Sequence, residues 1–243
     1  MNTDNYAYVT LLANHLYFRG VVALAKSIKE QKLSYPVHCL VTEEVNNENR
    51  IELEKLGMIV REVPKISGGT AGDNDDKFMF DNWVTYTKLH IFNLTEFDKV
   101  IYLDADCIVL ENIDDAFNFP SLSGYCLAHT GELEAGMLIL SPDKKHFEDL
   151  MRYKDVRNYA NHDQTLIDWY FIKNGGGEFY EIHNSYHVMQ KPPHNKIPSL
   201  LTLNGAKVLE YNRSKPWLIE NEIVDYQYKD DPWHDVWWKY YEK

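Results

Sequence analysis

Between Tyr6 and Val63 the chain alternates between two patterns, and that alternation limits its fold more than any other feature. Tyr6 to Leu12, apolar and aromatic except for Thr10, reads as a buried strand. From Tyr17 to Lys32 a helix is expected, because Val21, Leu24, Ala25 and Ile28 recur at i, i+3, i+4 and i+7 on one face. Pro36 opens a second strand, Val37 to Val41. A polar helix follows from Asn47 to Leu56, stopped by Gly57, and Met58 to Val63 is a third strand. This βαβαβ order predicts a mostly parallel, doubly wound sheet, the Rossmann-like class of α/β fold.

The next strand ends on chemistry. Val100 to Leu103 is apolar and aromatic, as a strand buried on both faces should be. Asp104 and Asp106 follow at i and i+2, a spacing that puts both carboxylates on one side of a strand. In open α/β sheets, ligands bind outside the carboxyl ends of the strands. Two like charges there repel, and a divalent cation with oxygen ligands is the simplest counterweight.

Composition narrows the partners. The formal charge of −12 argues against nucleic acid or an anionic membrane surface. No run approaches the roughly 18 apolar residues of a membrane span, and Met1 to Asn5 shows no leader pattern. The three cysteines, Cys39, Cys107 and Cys126, share no metal-ligand spacing, so free thiols in a reducing, cytoplasmic setting are expected. The length suits a single domain over 1–243.

Other stretches complete the map. Ser67 to Asp76 holds three Gly and three Asp in ten residues and reads as a surface loop or a lid. Trp83 to Phe92 reads as a helix carrying Lys88 and His90, and Asn112 as the N-cap of Ile113 to Phe117, with Asp114 and Asp115 assigned to capping. Met137 to Leu140 is a buried strand preceded by Glu134-Ala135-Gly136. Helices are expected from Ser141-Pro142 to Tyr153 and from Asp163 to Lys173, and a late strand from Lys207 to Tyr211. In the last segment, 219–243, Trp233, Val236, Trp237 and Tyr240 make a helical stripe. That stripe suits docking on its own domain, or else a contact with a second copy in a homodimer or with the acceptor.

These pieces resemble glycosyltransferase family 8, the glycogenin and galactinol synthase group. The resemblance rests on Tyr8-Val9-Thr10-Leu11 with Asn14 and Tyr17, Thr87-Lys88-Leu89-His90, Tyr102-Leu103-Asp104-Ala105-Asp106, Ile113-Asp114-Asp115, Ala135-Gly136, Asp163-Gln164 and Lys215-Pro216-Trp217. They occur in the family's order and near its spacing. The resemblance implies a GT-A fold that binds a UDP-sugar with Mn2+ and transfers a hexose, glucose favoured, to a carbohydrate or protein hydroxyl with retention of configuration. By the same resemblance Leu11, Asn14 and Tyr17 hold the uridine, and Lys88 lies near the donor sugar and phosphates. Asp104, Ala105 and Asp106 form the metal and ribose motif, Glu134, Ala135 and Gly136 line the donor, and Lys215 reaches the diphosphate. Asp163 and Gln164 stand beside the anomeric carbon, with Lys88 the third catalytic candidate.

The chain departs from the family pattern at several points. Glu134 stands where the family usually has Asn or Asp, Ala160 where glycogenin has an acid, and Met79 near an expected arginine, with Lys77 the nearest cation. Gln190 to Asn195 contains no Tyr, so an external acceptor is favoured over self-glycosylation there. Glu210 takes the place of the family's metal-binding histidine, with His187 and His194 as the fallback ligands. A site of Asp104, Asp106 and Glu210 is a hard set that would hold Mn2+ and tolerate Mg2+. Two rival functions are an inactive UDP-sugar or metal-binding module, and a sugar nucleotidyltransferase. Leu12-Ala13-Asn14-His15 lacks the Gly-rich basic loop that the latter needs.

Overall fold

The computed structural model describes residues 5–67, 82–128, 130–154, 162–190, 203–212, 214–221 and 233–243. Nearly all of the expected loop 67–76 lies outside these residues, as do 191–195, Lys77, Met79 and Ala160.

Seven strands form the main sheet in the order β3-β2-β1-β4-β7-β6-β8. They are β1 (Tyr6–Leu12), β2 (Val37–Val41), β3 (Ile59–Glu62), β4 (Lys99–Leu103), β6 (Ser123–Cys126), β7 (Leu133–Leu140) and β8 (Tyr180–Glu181). Helices α1 (Phe18–Glu30) and α2 (Asn47–Lys55) make the two crossovers of the first unit. Four of the six pairings are parallel, so the mostly parallel expectation holds. The exception is β7, which runs antiparallel to both β4 and β6. A second sheet of β5 (Cys107–Val109), β10 (Val208–Glu210) and β9 (Val188–Met189) lies beside the first. The late strand expected at Lys207 to Tyr211 belongs to this small sheet.

Burial on both faces explains the apolar runs. Ala7, Val9, Val100 and Tyr102 enter one core cluster with Leu138 and Leu140. Their neighbours Tyr8, Ile101 and Leu103 enter another with Leu24 and Ile28 of α1. The last helix, α5 (Trp233–Tyr241), lies against α1. Its Trp237 stacks on Tyr241 and packs 5.3 Å from Trp217, so the aromatic stripe is used within the chain. No helix among the described residues is long and apolar enough to cross a membrane.

Three elements differ locally from expectation. Asn82–Asn93 is a 3₁₀ helix, and α4 (His162–Asp168) continues as a π-helical turn over Trp169–Lys173. Asn112 does accept from the Asp114 backbone N–H at 2.9 Å. Asp114 and Asp115, however, serve as tertiary links and not as caps. Asp114 accepts from the Tyr8 hydroxyl at 2.6 Å and from Ser34, while Asp115 binds Lys207 at 2.8 Å and the Tyr186 hydroxyl.

Candidate active site

The site is built where β4 ends. Asp104, Ala105 and Asp106 form a turn, closed by Cys107 N–H to Asp104 O at 3.0 Å, that hands the chain from the large sheet to the small one. The two carboxylates therefore converge through a turn and not through strand alternation. Gly20, inside α1, makes room for it: a Cβ there would collide with the Ala105 carbonyl oxygen and fall 2.8 Å from the Trp217 ring. β10 brings Glu210 up from the small sheet. One carboxylate oxygen each from Asp104, Asp106 and Glu210 lies within 4.8 Å of the others. Gly136 of β7 completes the cradle, because a Cβ there would lie 2.7 Å from Glu210 Cδ.

Each acid is held. The Tyr102 hydroxyl donates to Asp104 Oδ1 at 2.6 Å. Lys88 Nζ reaches Asp104 Oδ2 at 3.0 Å, the Ala135 carbonyl at 3.2 Å and Asp163 Oδ2 at 2.8 Å. Lys215 pairs with Asp106 and donates to the Tyr211 carbonyl at 2.5 Å. The His187 ring bonds Glu210 Oε2 at 2.5 Å. Gln164 Oε1 accepts from the Ala135 N–H at 3.2 Å, which fixes α4 against the start of β7.

The electrostatics follow from crowding. Burial pushes the Asp104 carboxyl up to about 6; Lys88 opposes this, and Asp106, Glu210 and Asp163 add to it. Burial also raises Asp106, against the pull of Lys215. Burial would raise Glu210 too, but the His187 hydrogen bond and nearby positive charge hold it below the usual range. Glu134 is pushed up to about 7 by burial and by the negative charge of Glu210. Burial would lower Lys88, yet Asp104 and Asp163 raise it, so it stays an ammonium.

The donor set fits a hard divalent ion. It is all oxygen, its span is close to that of ligands on opposite sides of one such ion, about 4 to 5 Å, and carboxylates keep lone pairs free after one hydrogen bond.

The remaining expected residues lie around this centre. Leu11 is buried at the end of β1. The Asn14 side chain accepts from Leu16 N–H at 3.0 Å and caps a short 3₁₀ turn, His15–Tyr17. The Tyr17 ring lies 5.8 Å edge-on to Trp217 and 6.0 Å from Lys215 Nζ. Of the fallback ligands, His187 acts as the partner of Glu210, and His194 lies outside the described residues. Sequence reasoning missed Gly20 and the hydroxyl of Tyr102. A glycine in the middle of an apolar helix face was the one available signal for Gly20.

A family model described as "Glycosyl transferase family 8" matches residues 8–135, more than half of the chain. The chain belongs to glycosyltransferase family 8. Among its family 8 relatives, galactinol synthase 7 of Arabidopsis thaliana is 30% identical over 89% of this chain and 75% of the synthase. Inositol phosphorylceramide glucuronosyltransferase 1 of the same plant is 30% identical over 96% of this chain. The chain spans only 43% of that longer relative. The galactosyltransferase LgtC, solved with donor and acceptor sugar analogs, superposes with a TM-score of 0.66 at 16% identity, covering 97% of this chain and 95% of LgtC. The fold is therefore the GT-A glycosyltransferase fold.

Proposed function

We propose that the protein is a retaining hexosyltransferase that uses a UDP-sugar donor and a divalent cation, Mn2+ in the first place with Mg2+ tolerated. The observation that carries this reading is the reach of Lys88. One ammonium joins Asp104 of the three-carboxylate cluster to Asp163, which neighbours Gln164 on α4. A metal-binding centre and a polar centre for the sugar thus share one fixed charge. Family 8 relatives carry different sugar names, a glucuronosyltransferase and a galactinol synthase among them, so membership alone does not choose the hexose. Glucose is the favoured donor sugar.

In this reading Leu11, Asn14 and Tyr17 receive the uridine at the end of β1, with Ala105 beside the ribose. Asp104, Asp106 and Glu210 would hold the cation, which would supply positive charge near the diphosphate. Lys215 and Lys88 add fixed positive charge where negative charge grows as the sugar–phosphate bond breaks. The bond's electron pair leaves with the β-phosphate oxygen of UDP. The acceptor hydroxyl attacks the anomeric carbon from the same face, and its proton passes to that departing oxygen. Asp163, buried at 4% exposure, places negative charge beside the positive character on the sugar. Gln164 orients the site through its bond to Ala135. A retaining glycosidase would instead need two carboxylates flanking the bond about 5 Å apart. Here Asp104, Asp106 and Glu210 are assigned to the cation.

The acceptor is an external hydroxyl, since 190–195 offers no Tyr. The three free, buried cysteines suit a reducing, cytoplasmic compartment.

The test is UDP release from a panel of UDP-sugars. Chelation with EDTA should abolish it and Mn2+ should restore it. Undiminished release after exhaustive chelation refutes the reading, and UDP-sugar binding without any turnover would favour the inactive module.

A further inference from the structure

Glu134 is the one acid of the site with no ion-pair partner among the described residues. Asp104, Asp106, Asp163 and Glu210 each bond a lysine or a histidine. The Glu134 side chain is buried, at 7% exposure, yet its carboxylate forms no ion pair and no hydrogen bond among the described residues. The charges it feels most are those of Glu210, His187 and Lys88, so it belongs to this site and not to a distant surface. Its oxygens are not sealed off, so with no protein donor they are left to water or to a ligand in the pocket.

The place of Glu134 along the sheet tells which part of a ligand would meet those oxygens. Neighbouring strands lie about 4.8 Å apart, in the order β1, β4, β7. On the proposed reading the uridine sits at the end of β1 and the metal at the end of β4. β7 begins one strand further on, with Glu134 two residues before Gly136, and beside it stand Lys88, Asp163 and Gln164. The part of the donor that reaches β7 is the sugar.

We propose that Glu134 selects the donor sugar by charge, accepting hydrogen bonds from the hydroxyls of an uncharged hexose and repelling a sugar that carries its own carboxylate. A uronate would add a like charge beside Glu134 in a pocket of five carboxylates, Asp104, Asp106, Glu134, Asp163 and Glu210, which outnumber the positive charges of Lys88, Lys215 and a bound divalent cation. Like charges brought together away from water are a strong means of rejection. The chain would then differ in donor from the relative whose name includes glucuronosyltransferase, despite 30% identity to it.

This inference rests on the UDP-sugar reading, and calorimetry separates the two. Wild type is titrated at pH 8 and saturating Mn2+ with UDP, UDP-glucose, UDP-galactose and UDP-glucuronate. UDP should bind, and the better of the two neutral donors should bind at least tenfold more tightly than UDP-glucuronate. Glu134→Gln should close most of that gap. If UDP binds and UDP-glucuronate matches the neutral donors on wild type, the inference fails and the UDP-sugar reading stands. An unchanged gap in a folded Glu134→Gln also defeats the inference. No UDP binding at all defeats the reading beneath it. The wild-type comparison decides the matter even where the variant folds poorly.

Discussion

A single methyl group placed at Gly136 should disable the metal site while leaving the fold intact. In the structure a Cβ at 136 would fall 2.7 Å from Glu210 Cδ and 3.1 Å from Oε1, where ordinary contact begins at 3.4 Å. The carboxyl group must therefore retreat by about 0.7 Å at Cδ and by more at Oε2. For the fold this is cheap, because the obstacle is the end of a flexible side chain. Replacing Gly with Ala also removes unfolded-state entropy worth about 0.4–1 kcal/mol. For an ion it is costly, since ligand distances tolerate only about 0.2 Å. Glu210 also cannot swing freely, being bonded to His187 at 2.5 Å. Gly136→Ala should thus weaken Mn2+ binding about tenfold or more, roughly 1.4 kcal/mol, with a melting temperature within a few degrees of wild type. Calorimetric Mn2+ titration in the presence of UDP reads the affinity. The comparison includes Glu210→Ala and the double variant. Both single changes remove the same ligand, so the double variant should be no worse than the weaker single. A folded Gly136→Ala that binds Mn2+ within twofold of wild type would refute the reasoning.

Two further outcomes follow from the same site. Asp104 is raised in the folded state to about 6 from 3.8, so without metal the folded state holds its proton more tightly than the unfolded state. The Asp104 contribution to metal-free stability is then fully present below about pH 4 and is lost as pH rises through about 6, opposite in sign to that of Glu210, which is held below its usual range. Glu134, raised to about 7, has the same sign as Asp104 and extends the window; the melting gain from Mn2+ should grow from pH 5 to pH 7, and a gain independent of pH would contradict this. Trp237→Ala, at a fully buried position between Trp217 and Tyr241, should cost about 3–5 kcal/mol, roughly 6–20 °C at 2–4 °C per kcal/mol for a chain of this size. It should also weaken UDP binding by loosening Lys215-Pro216-Trp217, and an unchanged melting curve would show that α5 does not brace that segment.

Much of the frame was legible because it rests on local pattern. Strands β1 and β2 begin and end where their apolar runs do, and Gly57, at a positive φ of 94°, ends α2 as its position suggested. The direction of β7 was not legible, because a strand buried on both faces reads the same forwards and backwards. The convergence of Asp104 and Asp106 was expected for a different reason from the one observed: the spacing fits a strand, but the chain turns there. Asp114 and Asp115 look like helix-capping acids in sequence, and their real partners, Tyr8, Ser34, Tyr186 and Lys207, are brought in by tertiary folding. The His187–Glu210 pair joins β10 to the turn just before β9, a link that no periodicity reveals.

The reversal of β7 sets how this scaffold can diverge. In a sheet whose strands all run one way, every strand leaves the ligand face as a loop, and loops accept insertions freely. Here one wall of the pocket is the opening of a strand, paired with β4 from Met137 onward and with β6 on either side of a register shift, at Glu134 and at Leu138. Residues 134–136 are bracketed by those contacts, so sliding the strand would break them. Change at this wall is therefore expected chiefly as exchange of side chains in place. A lineage built on such a scaffold would alter this wall of the pocket by point exchanges at 134–136 sooner than by insertions.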